Sequence, residues 1–236
     1  MQPGVKQNSL RAILFDVGNT LVFPDRQITL RPMHDRGFFP AESQIKLAES
    51  VARRTLDDQL LNNGAVSVDR GYWDIYYETL LREAGIDDEE LKSQLATLSG
   101  QSRNWSILAE GAQEVLGSLR QNYALGIVSN SDERLSVLLA RLGIEPFFEC
   151  VIASSVVGCE KPHQRIFEAA LQRMGVKAEQ AVYAGDIYSV DYLGATGAGI
   201  PAVLMDVYDV YNQVDVPRVR SLRELHKLIE EREGLG

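Results

Sequence analysis

The sequence predicts an α/β protein, a doubly wound parallel sheet joined to a small helical domain, and three patterns carry that prediction. Five short runs, Ala12 to Val17, Ala124 to Ser129, Cys150 to Ser154, Ala181 to Ala184 and Pro201 to Met205, are almost continuously apolar. Strands buried on both faces read this way, as parallel strands covered by helices are. From about Gly111 onward these runs alternate with amphipathic stretches, the order of strand, crossover helix and strand. Residues 25–105 instead show helical periodicity and almost no strand signal.

The first run opens the sheet. Pro40 to Asn62 then places Ile45, Ala48, Val51, Ala52, Leu56 and Leu60 on one helical face. Asp69 to Ala84 repeats the pattern with Trp73, Tyr76, Tyr77, Leu80 and Leu81, and Asp87 to Leu98 with Leu91, Leu95 and Leu98. Each apolar stripe needs a partner to cover it, so these helices are expected to pack together as a lobe. Later in the chain, Arg134 to Leu142 ends at Gly143 and Arg165 to Met174 ends at Gly175, glycine being the favoured residue just past a helix. Ser221 to Arg232 reads as a last helix, with Ser221 as N-cap and Leu222, Leu225, Leu228 and Ile229 facing inward. The expected division is an α/β core of residues 1–24 and 106–236 and a helical domain of residues 25–105.

With 236 residues, 45% hydrophobic and 24% charged, the chain is able to bury a core plus an inserted lobe. Its formal net charge of −9, with no lysine- or arginine-rich run, disfavours nucleic acid as a partner. Residues 1–11 are polar and no apolar stretch reaches 18 residues, so neither a secretory signal nor a membrane span is expected and the chain reads as cytoplasmic. Cys150 and Cys159 form no CxxC unit, which fits a reducing compartment.

Four polar signals follow predicted strands, and a doubly wound sheet would bring them to one edge. Asp16-Val17-Gly18-Asn19-Thr20 sets a carboxylate before a glycine loop whose amides can face an anion, or simply ends a strand in a turn. Ser129-Asn130 offers a hydroxyl and an amide, which would equally serve a helix N-cap. Lys161 is fixed by Pro162 just before a helix, although most lysines are solvated surface groups. Asp186 and Asp191, five positions apart beside Gly185, suggest a hard-cation site.

Taken in order, these segments resemble the four motifs of the haloacid dehalogenase superfamily, in the branch with a helical cap inserted after the first strand. The resemblance spans nearly the whole chain. It includes Trp105 to Leu119 as the return from cap to core, Phe147-Phe148-Glu149 leading to Ser154-Ser155, and Asp186 to Gly199. It implies a hydrolase in which Asp16 attacks phosphorus to form an aspartyl-phosphate, assisted by Ser129 and Lys161. It further implies phosphate binding by Val17, Gly18, Ser129, Asn130 and Lys161. Mg2+ would be held by Asp16, the Gly18 carbonyl, Asp186 and Asp191, the last as a ligand or as support behind the ligands. The expected partner is a small phosphorylated substrate, and the expected assembly a monomer or homodimer.

One position departs from the pattern. Phosphatases of the superfamily usually carry Asp-x-Asp in the first motif, the second Asp protonating the leaving oxygen, and here that position is Gly18. Asn19, where glycine is common, tolerates a left-handed turn. A phosphatase restricted in its leaving group, a 2-haloacid dehalogenase-type hydrolase, and a weakly active or non-catalytic binding protein all remain open. A phosphonate hydrolase would need a Schiff-base lysine in the cap, where Lys46 is the only lysine on the first predicted helix.

Overall fold

The computed structural model describes residues 9–63 and 68–234. Its strands are β1 (Ala12–Phe15), β2 (Val22–Pro24), β3 (Trp105–Leu108), β4 (Ala124–Ser129), β5 (Cys150–Ala153), β6 (Ala181–Gly185), β7 (Ala202–Met205) and β8 (Arg218–Val219). Six of them form one sheet in the order β5-β4-β1-β6-β7-β8, every pair parallel. The chain thus works outward from β1 to one edge and then, from β6, outward to the other. The strand order reverses beside β1, where doubly wound folds open their ligand crevice at the carboxyl ends of the strands.

All five apolar runs are strands, because each is covered on both faces. Ala12, Ile13, Leu14 and Phe15 are fully buried, and Leu14 and Val128 share a core cluster with Ile166, Phe167 and Ala170 of the helix Gln164–Met174. That helix ends at Gly175 in the left-handed conformation, as its sequence anticipates. The edge strand β8 was not expected. Its two residues, one of them charged, make no apolar run, and it pairs with β7 through Leu204 and Met205. The small β2–β3 ladder was also not anticipated, both strands being only three or four residues long.

The chain divides into two compact units. The first holds the six-stranded sheet and comprises residues 1–22, 108–207 and 213–236. The second comprises residues 23–107 and 208–212. Its main helices are Glu42–Asn63, Val68–Glu83 and Glu89–Ser99, the last capped by the Asp88 carboxylate accepting from the Leu91 amide. Tyr72, Tyr76 and Tyr77 are buried there in a cluster of ring contacts with Trp73, so the aromatic stripe is lobe core. Glu49 forms a buried ion pair with Arg53 at 2.6 Å, and its Oε1 also accepts from the Tyr72 hydroxyl. Tyr208–Asn212, which has no regular structure, is tied in by Arg26 Nη2 donating to the Tyr208 hydroxyl at 2.9 Å and Arg54 Nη2 to the Val210 carbonyl at 3.4 Å. Among the described residues no helix is long and apolar enough to cross a membrane.

Candidate active site

Register sets the floor of the site. Phe15 pairs with Ile127 on one side and Ala184 on the other, so β1, β4 and β6 end nearly level. The residue after β1 is Asp16, whose amide donates to the Ala184 carbonyl at 2.8 Å. The chain then doubles back, the Val17 carbonyl accepting from the amides of Leu21 at 3.0 Å and Val22 at 2.9 Å. Asn19 takes φ 51° to make this turn, a conformation its short polar side chain tolerates. Among the described glycines with positive φ, Gly18 is not one. A left-handed backbone is therefore not the reason for glycine at that position.

Lys161 joins the ends of the strands. Its Nζ donates to Asp16 Oδ1 at 2.6 Å, Asp191 Oδ1 at 2.7 Å and the Tyr183 hydroxyl at 2.9 Å. Its backbone is fixed from β4: Asn130 Oδ1 accepts from the Lys161 amide at 2.7 Å, and Asn130 Nδ2 donates to the Lys161 carbonyl at 3.1 Å. Both polar atoms of the Asn130 side chain are thereby engaged.

Asp191 reaches the site by an unusual turn. Residues Tyr188–Tyr192 form one wide π-type turn, a geometry that recurs at functional sites. It folds the Asp191 carboxylate back over β6, where Oδ2 accepts from the amides of Asp186 at 3.1 Å and Ile187 at 2.9 Å. The approach leaves no room for a side chain at position 185: a Cβ on Gly185 would lie 2.5 Å from Asp191 Cγ. Gly185 is required by this contact.

One ligand atom from each of Asp16, Asp186 and Asp191 falls within 4.8 Å of the others. All three residues, and Lys161, are 6% exposed or less. Fully ionised, three carboxylates facing one ammonium leave an excess of two negative charges in a buried pocket, and like charges at such range are costly. Burial, opposed by Lys161 and reinforced by Asp191, pushes the Asp16 carboxyl up to about 6. Although burial works against its charge, Asp16 and Asp191 hold the Lys161 ammonium above the usual lysine range. A hard divalent cation fits this oxygen-rich, anionic set and would relieve its charge.

The structure therefore brings together Asp16, Lys161, Asp186 and Asp191, with Val17 and Gly18 in the adjoining loop. Ser129 closes β4, buried and followed directly by Asn130. Sequence reasoning missed Tyr183. Its hydroxyl contacts Lys161, Asp191 at 2.9 Å and the Val128 carbonyl at 3.2 Å. A hydroxyl within an otherwise apolar run was the only available signal.

A family model described as haloacid dehalogenase-like hydrolase matches residues 10–199. Glyceraldehyde 3-phosphate phosphatase of Methanothermobacter thermautotrophicus is 30% identical over 207 residues, covering 84% of this chain and 86% of that one. Haloacid dehalogenase-like hydrolase domain-containing protein 3 of Mus musculus is 34% identical over 178 residues, covering 72% and 69%. Among solved structures, Bacillus subtilis YfnB bound to magnesium superposes with a TM-score of 0.69 at 23% identity, covering 94% of this chain and 99% of that one. The L-2-haloacid dehalogenase RSc1362 gives 0.64 at 21%, covering 94% and 99%. With the family model matched over most of its length, the chain belongs to the haloacid dehalogenase-like hydrolases.

Proposed function

We propose that the protein is a magnesium-dependent phosphatase of small phosphorylated metabolites, working through an aspartyl-phosphate on Asp16. The observation that carries this reading is the Asp16 carboxylate, held by Lys161 at 2.6 Å inside a buried cluster with Asp186 and Asp191. Relatives named glyceraldehyde 3-phosphate phosphatase, 30% and 31% identical over more than four-fifths of the chain, support a substrate of that chemical class. Residues 25–105 serve in this reading as the cap that selects the substrate.

Asp16, Asp186 and the Gly18 carbonyl would hold the metal. Asp191, whose oxygens face Lys161, Tyr183 and two amides, acts as support behind them. Magnesium, once bound, supplies the positive charge that lets a phosphate dianion approach a carboxylate. The Asp16 oxygen attacks phosphorus, the phosphorus–oxygen bond to the leaving group breaks, and water later hydrolyses the acyl phosphate. Ser129 and the loop amides of Val17 and Gly18 donate to the phosphoryl oxygens, while Asn130 contributes its main-chain amide and fixes Lys161 from behind. Lys161 orients the nucleophile and offsets its charge.

A 2-haloacid dehalogenase is the second reading, favoured by Gly18, since halide leaves without a proton. The buried carboxylate cluster weighs against it. Turnover of an aryl phosphate and of 2-haloacids, each with magnesium and with chelator, separates them. Phosphate release that requires magnesium is expected, and metal-independent halide release would overturn the proposal.

A further inference from the structure

We infer that Tyr183 is a positioning residue for the site: its hydroxyl takes the third hydrogen of the Lys161 ammonium and so fixes the direction in which the other two hold Asp16 and Asp191.

An ammonium has three donors and no acceptor. At Lys161 three oxygens stand within bonding distance, Asp16 Oδ1 at 2.6 Å, Asp191 Oδ1 at 2.7 Å and the Tyr183 hydroxyl at 2.9 Å. Each N–H therefore has its own acceptor, and rotation about the terminal carbon–nitrogen bond breaks all three together. Tyr183 is able to accept because its own proton has somewhere to go, to Asp191 Oδ1 at 2.9 Å or the Val128 carbonyl at 3.2 Å. The ring cannot drift, since Tyr183 is fully buried and meets Phe167 edge-on at 5.2 Å.

Without the hydroxyl, one buried N–H loses its acceptor and the ammonium is held against Asp16 and Asp191 by two bonds in place of three, a loss to which a charged donor is sensitive. Tyr183 touches neither Asp16 nor Ser129 in any described hydrogen bond, so its effect on the nucleophile would run through Lys161, with Asp191 as the other group its hydroxyl reaches. This inference rests on the proposed role of Lys161 in orienting the Asp16 nucleophile.

Tyr183→Phe tests it, keeping the ring and removing one oxygen. Two readouts are needed. With 15N-lysine labelling of the full chain, the Lys161 ammonium should give a slowly exchanging NMR signal whose hydrogen exchange quickens at least about tenfold in the variant. On an aryl phosphate at saturating magnesium, kcat should fall roughly 10- to 100-fold with KM within about twofold, both per folded protein. Unchanged exchange overturns the inference whatever the kinetics. So does an unchanged kcat in a protein that turns over phosphate esters. Faster exchange in a protein that turns over no phosphate ester leaves the placement of Lys161 intact and removes the phosphatase reading instead. If the Phe variant fails to fold, 3-fluorotyrosine at position 183 keeps the shape and weakens the acceptor. Exchange should again quicken, and exchange equal to the natural protein's would overturn the inference.

Discussion

Replacing Lys161 by methionine keeps the length and apolar stem of the side chain and removes a single charge. In the native protein that charge lies 2.6 Å from one buried carboxylate and 2.7 Å from another. Removing one partner of a buried ion pair costs about 3–5 kcal/mol, because the remaining charge is left uncompensated. Here two carboxylates lose the same partner and a third stands nearby, so the upper part of that range is expected near pH 8 in chelator. The sign with pH follows from Asp16. Burial already holds its folded pKa at about 6, above the ordinary 3.8, despite Lys161. A carboxyl raised in this way favours the fold below its unfolded value, and that contribution is lost as pH rises through the folded value. Without Lys161 the folded value rises further and the loss widens, so the penalty should grow between pH 4 and pH 8. A divalent cation that binds only the folded protein should return about 2.7 kcal/mol at one hundred times its dissociation constant. The assay is urea unfolding of both proteins at pH 5 and pH 8, in chelator and in magnesium. A variant as stable as the parent at pH 8 in chelator, or a penalty that does not change with pH, would refute the reasoning.

Three further outcomes are expected. Asp16→Asn should reduce turnover to below about 1% of the parent while melting within a few degrees of it, since the amide preserves shape but cannot attack phosphorus; substantial activity in steady-state assays would move the nucleophile elsewhere. Gly185→Ala places a methyl 2.5 Å from Asp191 Cγ, and it should cost about 1–3 kcal/mol and weaken magnesium binding at least tenfold, as followed by melting and calorimetry. Gly18→Asp restores a proton donor at a backbone whose φ is not positive. It should speed alkyl phosphates more than aryl phosphates, by up to roughly 10²–10⁴-fold, and a natural enzyme with no dependence on leaving-group pKa would show that another group already donates the proton.

The strands β1, β4, β5, β6 and β7 were legible because a strand covered on both faces must be apolar along its whole length. By the same logic β8 was not, since an edge strand of two residues with Arg218 in it carries no such signature. Asp16, Ser129, Lys161, Asp186 and Asp191 stood out as polar residues following buried runs. Tyr183 did not, because tyrosine is a good strand residue and its hydroxyl becomes significant only when the helix-preceding Lys161 folds over it. The commitment of the Asn130 amide to the Lys161 backbone was equally hidden, linking positions 31 residues apart. Gly18 stands in the sequence where a proton-donating Asp is usual, and only its backbone angle sets aside the simplest conformational explanation for a glycine there.

The small segment Tyr208–Asn212 bears on how the protein is made. Arg26 meets its partner Tyr208 across 182 positions of sequence, and Arg54 meets Val210 across 156. During synthesis the helices of residues 23–107 emerge long before that segment exists. Their unit is completed only when residues 208–212 follow, so its last contacts close late despite its local helices. A gene fragment cut at residues 23 and 107 would therefore encode an unfinished body, and grafting it onto another core would transfer the helices without the strand of sequence that seals them.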